Sequence, residues 1–481
     1  MHRLTRSRRN LMRRGLLRAA ACVGLALSIL GQASAQTPSQ LSDQTRSEID
    51  QAARQVLEST GVPSASVAVV KDGTLVYTHA YGSARFEPAT PATPEMRYKI
   101  GSISKQFTAT AILMLAEQGK LSLDDPVSRF VPDLTRAKEV TIRQLLAHTS
   151  GYQDYWPQDY VPPFMLTTIT ADEILTRWAR KPLDFDPGTK WQYSNTNYVI
   201  AGVIVEKASG MPLLRFLSSR IFEPLGMQSV VNIDQDHLAD TDPTGYMRYA
   251  LGPLRAAPRE GKGWLFAAGE LAMPVTDLAK WDIAMMNQRL LKPSSYQEMQ
   301  RDVLLKNGTA TAYGLGITVR NQAGRRVLEH GGEVSGFTAE NMVFPEDCAA
   351  VIVLTNQDAV NASGQIARKI APLLFAGNTE VIKEKTERAR KILEQLQQGK
   401  IDHSLLTDNA NSYFDPQALK DFAASLSPLG ASQDFQQTTE QLRGGMIHRA
   451  YRAKFAEKVL TISTFEMPDG KIEQFLVSVG N

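Results

Sequence analysis

Apolar and polar positions change period several times along this chain, and the changes predict its elements. A helical pattern over 42–60 leads into SASVAVVKDGTLVYTHAYGSA at 64–84. There two β-rich runs meet at Lys71-Asp72-Gly73, which predicts a hairpin. In KIGSISKQFTATAILMLAEQGKL (99–121), apolar residues at Ile103, Phe107, Ala111, Ile112 and Leu115 predict an amphipathic helix. The stretch 102–305 reads as mostly helical. Strand patterns then return at 313–319, 326–332, 336–344 and 349–356, and a helix follows at 362–376. Strands at both ends around a helical middle predict an α/β chain of the α+β kind. One antiparallel sheet is backed by terminal helices, and a helical lobe is inserted in sequence.

Beyond residue 378 the pattern restarts. A charged helix (EVIKEKTERARKILEQLQQ) and a second helix near 416–427 precede three alternating runs, MIHRAYRAKF, KVLTISTFEM and KIEQFLVSV. The last two join at Pro468-Asp469-Gly470. This predicts a small α+β domain over 378–481, distinct from a larger domain over 40–377.

The first 35 residues follow neither pattern. Seven arginines within 1–18, the apolar run AAACVGLALSIL at 19–30 and Ala33-Ser34-Ala35 match a secretory signal peptide over 1–35. The run is too short for a membrane span, which needs about 20 apolar residues, so no integral span is expected. Ser7-Arg8-Arg9-Asn10-Leu11 resembles a twin-arginine motif, an alternative export route. Either route predicts an exported protein, periplasmic or secreted. The full chain has 53 basic and 50 acidic side chains; without those seven arginines it has 46 against 50. A mildly acidic remainder lacks the basic footprint of a nucleic-acid binder. Of the two cysteines, Cys22 falls in the leader, so only Cys348 stays and no intramolecular disulfide is expected.

Several chemistries are missing: G-x-S-x-G, H-E-x-x-H, a close Cys/His cluster, G-x-G-x-x-G and a P-loop are absent, so neither a metal nor a cofactor is expected. One S-x-x-K is present, at Ser102 and Lys105. Positions i and i+3 share a helix face, so a lysine of lowered pKa can take the serine proton. A helix start also supplies backbone N–H groups for an oxyanion. The alternative is a capping serine beside a solvated lysine.

The order of further motifs weighs against that alternative. Tyr193-Ser194-Asn195 and His330-Gly331-Gly332 follow, with the flanking phrases LLAHTSGY, DPGTKWQYSNTNYVIAGVIVEKASG and FEPLGM. Together they resemble the serine β-lactamase and penicillin-binding protein family in its class C-like branch, across about 45–377. The resemblance implies a β-lactamase/transpeptidase-like fold and an acyl-enzyme on Ser102. It implies Lys105 as base and Tyr193 as proton shuttle or base. Asn195 would bind a substrate amide, and His330, Gly331 and Gly332 would line the far wall of the cleft. The amides of Ser102 and Glu333 would form the oxyanion hole.

His330 departs from the K-T-G pattern; a histidine is expected to be only partly charged near neutral pH. Members with H-x-G include D-Ala-D-Ala carboxypeptidases, D-aminopeptidases and esterases. D-amino-acid peptides are therefore expected ahead of β-lactams. A carboxylesterase, or a penicillin-binding sensor with little turnover, are the rival readings. The substrate is thus a small peptide, β-lactam or ester, and the C-terminal domain is a candidate for partner binding or self-association. His148 reads as structural, Trp264 and Trp281 as core. The loop with Asp154, Tyr155, Trp156 and Tyr160 is expected either to rim the cleft or to pack.

Overall fold

The structure, a computed structural model, describes residues 41–480 except residue 323; the expected leader at 1–35 lies outside the described residues. Helix α1 (Asp43–Thr60) starts where the Ser42 side chain accepts from the Thr45 N–H. It stops at Gly61, whose φ of 69° is the left-handed conformation that ends helices. Strands β1 (Ser64–Lys71), β2 (Thr74–Phe86), β3 (Ala89–Pro91) and β4 (Tyr98–Lys99) follow, and α2 spans Ser104–Glu117. The middle carries short strands β5 (Val231–Asn232), β6 (Tyr246–Met247), β7 (Arg255–Ala256) and β8 (Leu271–Met273). Then come β9 (Thr318–Gln322), β10 (Arg325–Val334), β11 (Phe337–Phe344) and β12 (Ala349–Thr355).

The expected hairpin forms, with Asp72 and Gly73 both at positive φ (51° and 70°), the turn whose twist matches its strands. The main sheet has seven strands in the order β3-β2-β1-β12-β11-β10-β9. Its central strands are buried on both faces because their side chains alternate between two cores. Ala68, Val70, Ile352 and Leu354 join one, and Val67, Val69, Val351 and Val353 join the other. The second core is closed by α1 and the helix Ala362–Ile370. The first is the larger and contains the helical lobe, including Phe107, Trp264 and Trp281.

Three expectations need correction. Helix α2 is not amphipathic: every residue from Ser104 to Leu115 is buried, its polar groups meeting partners inside. Trp281 Nε1 donates to Gln106 Oε1 at 2.8 Å, and Thr108 Oγ1 to the Ala267 carbonyl at 2.8 Å. Residues 313–317 form a loop, because Gly314 and Gly316 press against the Met299 and Lys105 carbonyls, where a Cβ would stand 2.2 and 3.0 Å away. The seven-stranded sheet is also not alone, since β4, β8 and β5 make a three-stranded sheet beside the mostly helical middle.

The C-terminal sheet domain holds the helices Ala376–Gln397 and Pro416–Leu426. Four antiparallel strands follow, β13 (Asp434–Arg443), β14 (Met446–Lys454), β15 (Val459–Glu466) and β16 (Ile472–Val479), paired in sequence order. Its own core includes Ile392, Leu396, Phe414, Tyr451, Ile462 and Phe475. No helix of the described residues is long and apolar enough to cross a membrane.

Candidate active site

The site is assembled where three segments meet. Ser102 sits on a single tight turn, Gly101–Ile103, that runs into α2. The turn is held from behind: β4 pairs with β8, and the Ile100 N–H donates to the Leu271 carbonyl at 3.0 Å. The Ser104 hydroxyl accepts from the Leu271 N–H at 3.2 Å, tying α2 to the same strand. Neither helix start uses a serine side-chain cap. The capping alternative for Ser102 is thereby excluded.

Lys105 is fully buried. Its Nζ donates to Ser102 Oγ (3.0 Å), Asn195 Oδ1 (2.8 Å) and the Ala268 carbonyl (2.7 Å), so all three ammonium protons have acceptors. Burial lowers its pKa to about 7, with Asp154 opposing the shift. The rings of Tyr193 and Tyr198 flank the amine at 5.0 and 5.4 Å.

Asp154 does more than rim the cleft. Its carboxylate accepts from the Asn195 N–H (3.0 Å) and from Asn195 Nδ2 (3.2 Å), which turns the amide oxygen toward Lys105. Burial raises Asp154 to about 6. Of its loop neighbours, Tyr155 packs, donating its hydroxyl to the Trp264 carbonyl at 2.6 Å, and Tyr160 donates to Glu260 Oε1 at 2.5 Å. Tyr155, Trp156 and Tyr160 all line the cleft, and Trp156, 54% exposed, is the most open of them.

Tyr193 is buried beside Ser102, and its hydroxyl makes no well-aligned hydrogen bond with the described residues. Burial raises its pKa, and the Ser102 hydroxyl only partly offsets that, so it is a neutral phenol near pH 7. His148 stacks on Tyr193 at 4.3 Å and accepts from the Ser194 N–H at 3.2 Å. Burial holds it well below its ordinary pKa, which fits the structural reading of that residue.

His330 corrects the expectation of partial charge: burial, reinforced by Lys105, lowers it to about 4, so it is neutral. Its Nδ1 lies 2.6 Å from the Gly331 carbonyl, which can only accept, so Nδ1 carries the proton and Nε2 accepts from the Tyr313 hydroxyl at 2.8 Å. Because β9 pairs only with Arg325–Glu329, the half of β10 from His330 to Val334 keeps an edge without a strand partner. Glycines allow that edge to approach Ser102. A Cβ on Gly332 would lie 1.9 Å from the Ile100 carbonyl, and one on Gly101, at φ 51°, would lie 2.7 Å from the Glu333 nitrogen. The amides of Ser102 and Glu333 are thus close neighbours.

Ser102, Tyr193, Asn195, His330, Gly331, Gly332 and Glu333 line one cavity of about 970 Å³. Trp191, 39% exposed, also lines it and was missed in the sequence, although it stands two residues before Tyr193. A second cavity of about 480 Å³ is lined by none of the motif residues. Among the described residues no group of three or more His, Cys, Asp or Glu is placed to hold a metal ion.

The layered sheet, the helical lobe and the serine–lysine pair at a buried helix start define a β-lactamase/transpeptidase-like fold. The chain belongs to the beta-lactamase family, whose model matches residues 49–373. It is similar to a D-aminopeptidase from Brucella anthropi, 28% identical over 332 residues. That match covers 68% of this chain and 62% of the relative, which is less than two thirds of the relative's length. A penicillin-binding protein from Bacillus subtilis is 27% identical, over 68% of this chain and 76% of its own. The solved D-amino acid amidase from Ochrobactrum anthropi, complexed with L-phenylalanine amide, superposes with a TM-score of 0.61 at 26% identity. It covers 69% of this chain and 99% of its own. An octameric penicillin-binding protein homologue from Pyrococcus abyssi matches in fold over 91% of this chain (24% identity, TM-score 0.61).

Proposed function

We propose that the protein is an exported serine hydrolase that works through an acyl-enzyme on Ser102 and cleaves amide bonds of D-amino-acid compounds. The observation that carries the reading is the buried Lys105 amine, 3.0 Å from Ser102 Oγ with its pKa lowered to about 7. In its neutral form it accepts the Ser102 proton as Oγ attacks the carbonyl carbon, and a C–O bond forms. The resulting oxyanion is held by the N–H groups of Ser102 and Glu333. Tyr193, a phenol beside Ser102 that its raised pKa keeps protonated, passes its proton to the departing amine and is reprotonated by the Lys105 ammonium, so the Ser102 proton ends on the leaving group and Lys105 keeps the base role. Water then cleaves the ester, returning the proton through the same groups.

The unpaired edge of β10 supports binding of an extended substrate backbone at Gly331 and Gly332. Relatives named D-aminopeptidase and D-amino acid amidase support D-amino-acid amides and peptides as substrates. β-Lactams are then pseudo-substrates or slow substrates, and the same chemistry would cleave carboxylic esters. The catalytic unit is residues 40–377. The domain over 378–481 supplies none of the groups used here and is proposed to bind a partner or self-associate. The test is a panel of a D-amino-acid amide, a D-Ala-D-Ala peptide, a p-nitrophenyl ester and a fluorescent penicillin, with product release and intact mass followed together. Fastest turnover of the D-amino-acid amide or peptide supports the reading. Faster ester turnover favours the esterase, and a stable adduct without turnover favours the sensor.

A further inference from the structure

The cleft continues beyond the motif residues. Past Gly331 it reaches the sheet face that packs on the helix Ala362–Ile370, where Thr338, Glu340, Asp358 and Asn361 line it. Residues of β10 and β11 in this phase, Val327, Met342 and Phe344, belong to the core beneath that helix; Gly331, Glu333 and Glu340 follow the same alternation.

Glu340 is 8% exposed and makes no hydrogen bond or ion pair with the described residues; Glu329 repels it, while Arg320 and Arg368, the latter reaching the same Gly364 as the carboxyl, attract it from beyond ion-pair distance. Charging a carboxyl buried without a partner is costly: burial, with Glu329 nearby, raises Glu340 to about 7, and a ligand cation would relieve that cost. Glu340 stands opposite Gly331 in the ladder, and its Oε2 lies 3.8 Å from where a Gly331 Cβ would be. The missing side chain there leaves the carboxylate open to the cleft. Glu333 and Asp358 add negative charge, their Oε1 and Oδ2 accepting from the Ala359 and Gly336 N–H groups at 2.9 and 2.8 Å. Arg248, the one arginine or lysine among the described residues lining the cleft, is turned to the Gly252 and Gly61 carbonyls, at 3.1 Å each. With His330 neutral and Arg248 held by carbonyls, no cationic side chain among the described residues lining the cleft is left without a partner.

We infer that Glu340, with Glu333 and Asp358 around it, forms a subsite for a primary ammonium group of the substrate, reached across Gly331. The inference rests on the hydrolase reading above and deepens it, since an amine end is selected over a carboxylate end.

The test titrates the full chain carrying Ser102→Ala with three amides: D-alaninamide (α-ammonium), Nα-acetyl-D-lysinamide (side-chain ammonium) and N-acetyl-D-alaninamide (no cation). At least one ammonium compound binds on the order of tenfold more tightly than the neutral one, as a charge-assisted contact would give. Which one does so identifies the source of the ammonium. Adding Glu340→Gln removes the difference. So does Gly331→Val, whose side chain covers the carboxylate; this second variant keeps the test decisive if Glu340→Gln does not fold. Equal binding of all three amides overturns the inference, as does a preference that survives in the folded variants. Failure of the hydrolase reading shows separately, as absence of acyl mass on wild-type Ser102, and does not enter the titration.

Discussion

At the scale of single residues, the proposed chemistry turns on Lys105. An exposed lysine is charged at neutral pH and cannot accept a proton; burial lowers this one to about 7. The active form is the neutral amine, which is populated above the pKa. We therefore expect kcat/KM to rise with pH through about 7 and to level off above, which a pH–rate profile checks; a rate still climbing at pH 9 would contradict it. Lys105→Met should cost about 100-fold to 10,000-fold in acylation rate, the usual worth of a positioned base. Asp154 is a positioning residue with its own signature. It favours the charged lysine, so Asp154→Asn should shift the acid limb to lower pH while kcat falls about tenfold through the loosened Asn195 amide. Ser102, Lys105, Tyr193, Asn195 and His330 were legible because their order and spacing survive in one dimension. Asp154 was legible only as a member of a loop that rims the cleft or packs; its hold on Asn195 was not, because the two lie 41 residues apart and no motif links them. The charge state of His330 was likewise out of reach, since it depends on burial.

At the scale of elements, a close backbone approach and a buried aromatic pair hold Ser102 in place. A Cβ at Gly332 would stand 1.9 Å from the Ile100 carbonyl, and backbone cannot yield as a flexible side chain does. Gly332→Ala should therefore abolish acylation of Ser102 in a protein that keeps its circular dichroism. Below Ser102, Phe107 is fully buried, with its ring centroid 4.5 Å from that of Trp281. Phe107→Ala should destabilise the protein by about 3–5 kcal/mol in denaturant unfolding. The long strands were readable from their apolar runs and the hairpin from Asp72-Gly73. β13 was not, because DFQQTTEQLR carries few apolar residues at the edge of its sheet. Gly444-Gly445, both at positive φ, was the available signal for its hairpin. The loop at 313–317 looked like a strand because what decides it is the tight packing of Gly314 and Gly316.

At the scale of the whole molecule, the C-terminal sheet domain has its own core, drawn from Ala389 to Phe475, and shares no residue with the two cores of the main sheet. Truncation near residue 378 should therefore leave Ser102 acylation rates within about twofold, while solubility or oligomer size changes; a large loss of acylation would place the domain in the catalytic unit. The central claim is that Ser102 is acylated with Lys105 as its base. Its most direct test is the intact mass of the protein after incubation with a fluorescent penicillin, followed by peptide mapping. The account predicts one adduct on the peptide containing Ser102, absent in Ser102→Ala and much slower in Lys105→Met. An unmodified wild-type protein, or an adduct that persists in Ser102→Ala, would contradict it.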